Sequence, residues 1–262
     1  MQASALPFLF GLLAGALGGL MGVGGGILLV PLLVHFTRAG QHEAQGTSLA
    51  FVTATSLVAA FAYFRAGNLD VLLAVYLALG AVPGVLAGAA LARKMSGRRL
   101  RQGLGILMVL TALRILAAVP APGGEAHPWP PAANVIVGFL AGGLGGLLGV
   151  GGGTILVPIL VLGERYPQHL AQGVSLLMIL PTGIVGALNH ARHGHVMVRM
   201  LPALMAGGAI GGLLGAFLAH RIESASLTRL FALFLLVVGG QMIFARRRDT
   251  VAGPIVGGGG PR

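Results

Sequence analysis

Two short runs of this chain carry backbone chemistry rather than side-chain chemistry. Val23-Gly24-Gly25-Gly26-Ile27 and Val150-Gly151-Gly152-Gly153-Thr154 each set three glycines before an apolar run. Such a run has little reason to stay helical, because each interior glycine costs roughly 1 kcal/mol against alanine. A helix that restarts after the break presents free N–H groups and the positive end of its dipole. Gly24, Gly25, Gly26 and Ile27, with Gly151, Gly152, Gly153 and Thr154, are therefore expected to form two anion-binding helix starts that need no charged side chain. Glycine suits this because a ligand oxygen can approach its backbone closely. The competing explanation is that these glycines only let helices pack tightly.

Amides and hydroxyls follow each run. Gln45, Thr47, Ser48 and Thr55 are matched by Gln172, Ser175 and Thr182, with Val174 in place of the second threonine. Ser48 and Thr55 share a helix face, and Ser175 and Thr182 repeat their spacing. They are expected to complete the hydrogen bonds of an oxyanion. The alternative is that they bond their own helix carbonyls or join helices. Other chemistries have little support. No Lys-Ser/Thr follows the glycines and no strand precedes them, so they are not a nucleotide loop. The carboxylates Glu43, Asp70, Glu125, Glu164, Glu223 and Asp249 all avoid the middle of an apolar run, so the buried acid of a proton pump is missing. His190, His193 and His195 have no counterparts in the first half and read as a wet turn around Gly194, like that at Gly67. His42 and His169 read as surface anchors. With no cysteine in the chain, thiolate metal sites are excluded. No cofactor is expected, and no nucleophile–base pair supports an enzyme.

The elements that position these groups are duplicated. From Gly18 to Gly88 the chain matches Gly145 to Gly215 at an offset of 127 residues. Two repeats, 1–127 and 128–252, and a flexible tail, 253–262, are expected. The 262 residues are 56% hydrophobic and 9% charged, with mean hydropathy +0.90, which requires lipid as the solvent. Spans are expected at Ala44–Phe64, Leu69–Ala92 and Leu100–Val119, and again at Ala171–Ala191, Val196–Ala219 and Leu227–Phe244. The net charge of +11 sits at span ends, where it serves topology and lipid contact rather than nucleic acid. Leu6–Ala16 lacks the preceding basic residue of a signal peptide.

Before each trio lies a longer glycine-rich segment, Leu6–Phe36 and Ala132–Leu162. One straight helix through the first would run about 46 Å, too long for a single span without steep tilt. A broken element is expected, helical from about Pro7 to Gly22 and again from about Ile27, with Pro31 and Pro158 in the first turns of the second helices. If each break runs straight on, basic residues divide 9 against 8 across the membrane. If each break turns back, the second repeat is inverted and they divide 12 against 5. The inverted arrangement obeys the positive-inside rule, with both termini cytoplasmic.

The twin Gly-Val-Gly-Gly-Gly runs with Pro31 and Pro158, the segments Gln45-Gly46-Thr47-Ser48 and Gln172-Gly173-Val174-Ser175, and the small two-half size resemble the sulfite exporter TauE/SafE family of bacterial membrane proteins. The resemblance covers roughly residues 6–245 and implies an inner-membrane transporter of sulfite, sulfonates or related small anions. The expected fold is an all-α polytopic membrane protein of two inverted pseudosymmetric repeats, each a glycine-broken helix plus three transmembrane helices. An anion leaving an inside-negative cell gains about 2.3 kcal/mol per charge at 100 mV, so export needs no coupling carboxylate. A passive anion channel and an importer of small organic anions are the rivals. Gly25→Leu or Gly152→Leu is expected to abolish transport while sparing the fold.

Overall fold

The computed structural model describes residues 2–37, 39–92, 97–117 and 127–244. Arg38, Arg93, Lys94, Glu125, Arg246, Arg247, Arg248, Asp249 and the tail 253–262 lie outside them. The described residues form ten helices and no strand. The first half contributes α1 Gln2–Met21, α2 Gly26–Thr37, α3 Gln41–Arg65, α4 Val71–Ala92 and α5 Gly97–Ala117. The second contributes α6 Pro131–Leu148, α7 Gly153–Leu162, α8 Gln168–Arg192, α9 Leu201–Ala219 and α10 Ser224–Phe244.

Local chemistry sets the ends. Asp70 Oδ1 accepts the Leu73 N–H at 3.0 Å and opens α4, as a capping carboxylate does. Gly67 and Gly194, with φ of 73° and 72°, end α3 and α8 in left-handed turns. These are the turns expected there. Pro131 stands first in α6, where its missing N–H costs no bond. The span expected from Val196 begins only at Leu201. Residues 196–200 are turns closed by Val198 N–H to Val196 O and Met200 N–H to Met197 O, both 3.0 Å, and Pro202 favours a helix start beside it.

Six helices, α3, α4, α6, α8, α9 and α10, are long and apolar enough to cross a membrane. The chain is a polytopic all-α membrane protein. Leu72, Leu79, Phe61, Ile136 and Phe217 stand exposed on its outer face, a surface suited to lipid rather than water. α2 and α7 have 12 and 10 residues. At 1.5 Å per residue neither crosses a hydrocarbon core of about 30 Å.

Glycine ridges hold the bundle together. α1 packs on α9 with Gly11 beside Leu204, Gly15 beside Gly208 and Gly19 beside Gly212, so the two run parallel. α6 packs on α4 with Gly138 beside Leu77, Gly142 beside Ala81 and Gly146 beside Val85, each pair displaced from the first set by the repeat offset. α3 and α8 run antiparallel, with Gly46 against His190, Leu49 against Gly186 and Tyr63 against Gly173. Gly80, Gly84 and Gly88 receive the backbone of α6, and Gly207, Gly211 and Gly215 that of α1. Helices approach this closely in lipid only through small residues.

Gly211→Val would drive its side chain into the Leu12 carbonyl and to within 2.8 Å of the Ala16 nitrogen. We expect it to cost at least about 1–3 kcal/mol by overpacking and to lower the melting temperature in detergent. Gly240 is the control, since a Cβ added there would meet nothing within 4 Å. Gly240→Ala should change stability by less than about 1 kcal/mol.

Candidate functional site

Each break turns the chain back on itself. At matched positions three glycines adopt left-handed φ: Gly22 and Gly149 at 71° and 74°, Gly24 and Gly151 at 72° and 80°, Gly25 and Gly152 at 84° and 87°. A Cβ strains such a backbone, and there is no room for one. A Cβ on Gly25 would meet the Ala14 carbonyl, and one on Gly152 would stand 2.6 Å from the Ala141 carbonyl. Gly25 also packs against Gly18, and further along α2 the Phe36 ring lies 5.2 Å from that of Phe10. α2 therefore returns beside α1.

The second helices start cleanly. Leu28 and Leu29 N–H donate to Gly25 O at 3.2 Å, and Ile155 and Leu156 N–H to Gly152 O at 3.2 Å. The amides of Gly26, Ile27, Gly153 and Thr154 precede these bonds and have no acceptor in their own helix. Pro31 and Pro158 are not in the first turns as expected. They lie in the second turn of α2 and α7, because left-handed Gly25 and Gly152 let the helices begin at once. Without an N–H there, Ile27 and Thr154 keep carbonyls that no i+4 donor reaches.

The two breaks meet. A Cβ on Gly26 would stand 3.2 Å from Val150 Cα, and one on Gly153 3.1 Å from the Gly22 carbonyl. Val52 touches Gly24, Gly26 and Gly151, while Ile179 touches Gly151 and Gly153. Ser48 Oγ donates to Gly26 O at 3.3 Å. Its mate Ser175 lies against Gly153 with Oγ unpartnered, Ser56 lies against Gly24 with Oγ unpartnered, and Thr154 Oγ1 is unpartnered. All three are buried. Glu164 is the only buried carboxylate among the described residues, and it is in the α7–α8 turn. The positive character of the centre therefore comes from amides, not side chains. A cavity of about 310 Å³ lies between α5, α7 and α10 and reaches Thr154 and Ile155 in the first turn of α7.

Two amide-rich helix starts thus meet, buried, within a duplicated apolar chain. The family model of the sulfite exporter TauE/SafE matches residues 133–261. A Xylella fastidiosa (strain 9a5c) protein named "Probable membrane transporter protein" is 33% identical over 89% of this chain and 92% of its own length. The chain belongs to the TauE/SafE family. YunE of Bacillus subtilis, also named a "Probable membrane transporter protein", is 28% identical over 89% of this chain and 95% of its own length. No solved structure matches the chain. Like its TauE/SafE relatives it is a membrane transporter and not an enzyme.

This TauE/SafE chain brings together Gly24, Gly25, Gly26, Ile27, Ser48, Gly151, Gly152, Gly153, Thr154 and Ser175. The remaining expected site residues mostly bind backbone. Gln45 Nε2 donates to Leu147 O at 3.3 Å and packs on Gly149. Gln172 packs on Gly22 and faces the Tyr63 hydroxyl at 2.8 Å. Each glutamine thus braces the opposite repeat's break. Thr55 donates to Phe51 O at 3.2 Å and Thr182 to Ile179 O at 2.9 Å. Thr47 accepts the Met197 N–H at 2.9 Å, away from the breaks. Among the described residues no cluster of three or more His, Asp or Glu side chains is set to hold a metal. His42 stacks on His195 at 5.4 Å and His193 on His195 at 6.2 Å.

Ser56 is hard to find from the sequence because its repeat mate is Gly183. Its spacing from Ser48 through Val52, one helical turn each, was the available signal. Tyr63, buried between Gly19 and Gln172, is aligned with His190 in the second half and had none.

Gly25→Leu and Gly152→Leu cannot spare the fold, contrary to the sequence expectation, since both meet backbone. We expect loss of folded protein on size-exclusion chromatography. Ser175→Ala removes a hydroxyl that forms no bond and should leave stability within about 0.5 kcal/mol. Ser48→Ala should cost about 0.5–1.5 kcal/mol. Thermal unfolding of the pair in detergent measures the difference.

Proposed function

We propose that this chain is an inner-membrane exporter of small sulfur-containing anions, sulfite or a sulfonate, held between its two glycine breaks. The carrying observation is the pair of facing helix starts, with free amides and the unpartnered Ser56, Thr154 and Ser175 hydroxyls buried beside them. Such donors favour an oxyanion over a cation. Membership of a sulfite exporter family supplies the sulfur chemistry. The direct contact between the breaks favours a carrier with an occluded centre over a passive channel. Outward movement follows the potential, at about 2.3 kcal/mol per charge per 100 mV.

In this reading residues 1–127 and 128–252 are inverted repeats, each a re-entrant hairpin and three spans, with both termini cytoplasmic. The antiparallel run of the mates α3 and α8 supports inversion, as does the charge division. Rocking of one repeat against the other opens the centre alternately to each side. The cavity beside α7 is one such approach.

The absence of cysteine allows a clean topology test. Ala66 and His193 are matched and exposed. Cysteines placed there should react with an impermeant maleimide from opposite sides of the membrane; labelling from the same side would remove the inversion. Thr154→Val is close to isosteric. If it deletes one charge-assisted hydrogen bond of about 1.5–3 kcal/mol, sulfite affinity falls about 10- to 100-fold. Saturable sulfite flux in proteoliposomes reads it, and unchanged affinity would remove Thr154 from the site.

A further inference from the structure

Glu164 belongs to none of the chemistry above, yet it is fully buried. The sequence keeps it out of the middle of any apolar run, and the fold puts it behind the chain's single tryptophan. Its Oε2 accepts the backbone N–H of Trp129 at 3.2 Å, and its carbonyl accepts the backbone N–H of His127 at 2.9 Å. Asn134 Nδ2 holds the Trp129 carbonyl at 3.3 Å. The indole lies over Gly163, where a Cβ would stand 2.8 Å from Cζ2. Trp129 and Gly163 both line the cavity that reaches Thr154. Glu164 therefore sets the position of one wall of that cavity.

The other carboxyl oxygen, Oε1, is buried without a hydrogen-bond partner. An ionised carboxylate is costly in that state, whereas a neutral carboxyl is tolerated. The turn itself is unusual. Arg165 is the only described non-glycine residue with positive φ, at 57°, and its side chain is exposed.

We propose that Glu164 is a protonation-sensitive positioning residue, keeping the Trp129 wall dry and packed when neutral and admitting water beside the indole when ionised. Ionisation releases the carboxyl proton to solvent, and water hydrates the otherwise unpaired Oε1. The titratable groups around it are Asp70, at the start of α4, Arg165 and Tyr166 in the same turn, and His127, whose backbone bonds to it. Burial is the chief cause that lifts the Glu164 pKa above the usual carboxylate range, and the Asp70 charge adds to it, against the Trp129 N–H, which lowers it. Tyr166 is likewise raised by burial, then by Glu164 and Asp70. Because the folded state holds this proton more tightly than the unfolded chain, the stability it contributes is present below the usual carboxylate pKa. It is lost as pH rises through the raised value.

Trp129 is its own reporter, so the test needs no transport assay. Emission of the purified full chain is followed from about pH 4 to about pH 9, with the ordinary carboxylate range as the reference. A red shift with rising pH is expected, its midpoint above the usual carboxylate range. Glu164→Gln keeps the acceptor and cannot ionise, so its emission should stay flat. Asp70→Asn should move the wild-type midpoint down. No shift in the wild-type protein, the same shift in E164Q, or an unmoved midpoint in D70N would each overturn the assignment. The effect on flux rests on the proposed transport: E164Q should flatten the pH profile of sulfite export. Flat fluorescence in the variant with no sulfite flux in either protein would fault the transport reading alone.

Discussion

In hydrocarbon every backbone N–H and C=O must find a partner inside the protein. The rest of this structure is arranged around the two places where the helix ladder is deliberately broken. Left-handed glycines at 22, 24 and 25 and at 149, 151 and 152 reverse the chain inside the bundle. Each reversal leaves amides without an acceptor in their own helix. That is tolerable only because protein encloses them. Val52 presses on both breaks, Ile179 on the second, and Gln45 and Gln172 brace them from the opposite half.

The long helices follow from that requirement. α3 and α8 cross antiparallel and carry the serines and valine or isoleucine that face the breaks. α9 and α4 lay glycine ridges against α1 and α6, so the outer arm of each hairpin is gripped by the other half. Without a hydrophobic driving force between helices in lipid, close backbone approach through glycine supplies the contact. The same residue type therefore does two different jobs, packing on the ridges and left-handed reversal at the breaks.

The two halves are alike in pattern but not in detail. Ser48 is bonded to Gly26 O while Ser175 is unpartnered at Gly153. The cavity lies beside α7, with Trp129 and the buried Glu164 at its wall. The proposed carrier, its halves rocking against each other, would be unequal in any one state, and Ser175, Thr154 and Trp129 are places where the halves differ.

The amino-acid sequence by itself determined the membrane class, the duplication and the breaks, because these depend on local composition and on a period that survives along the chain. Five expected spans became α3, α4, α8, α9 and α10, with α9 delayed by the turns before Pro202; α6, read as part of a broken element, is also long and apolar enough to cross, and α5 is not among such helices in the described residues. Tertiary structure decided which polar groups had spare hydrogen-bonding capacity. Thr47, Thr55 and Thr182 satisfy themselves on backbone, whereas Ser56 and Thr154 do not, and residue type cannot distinguish the two. It also decided that Gly25 and Gly152 have no space for a side chain, and that Glu164 is buried. Burial and hydrogen-bond partners come from segments far apart in the chain, so no local pattern records them.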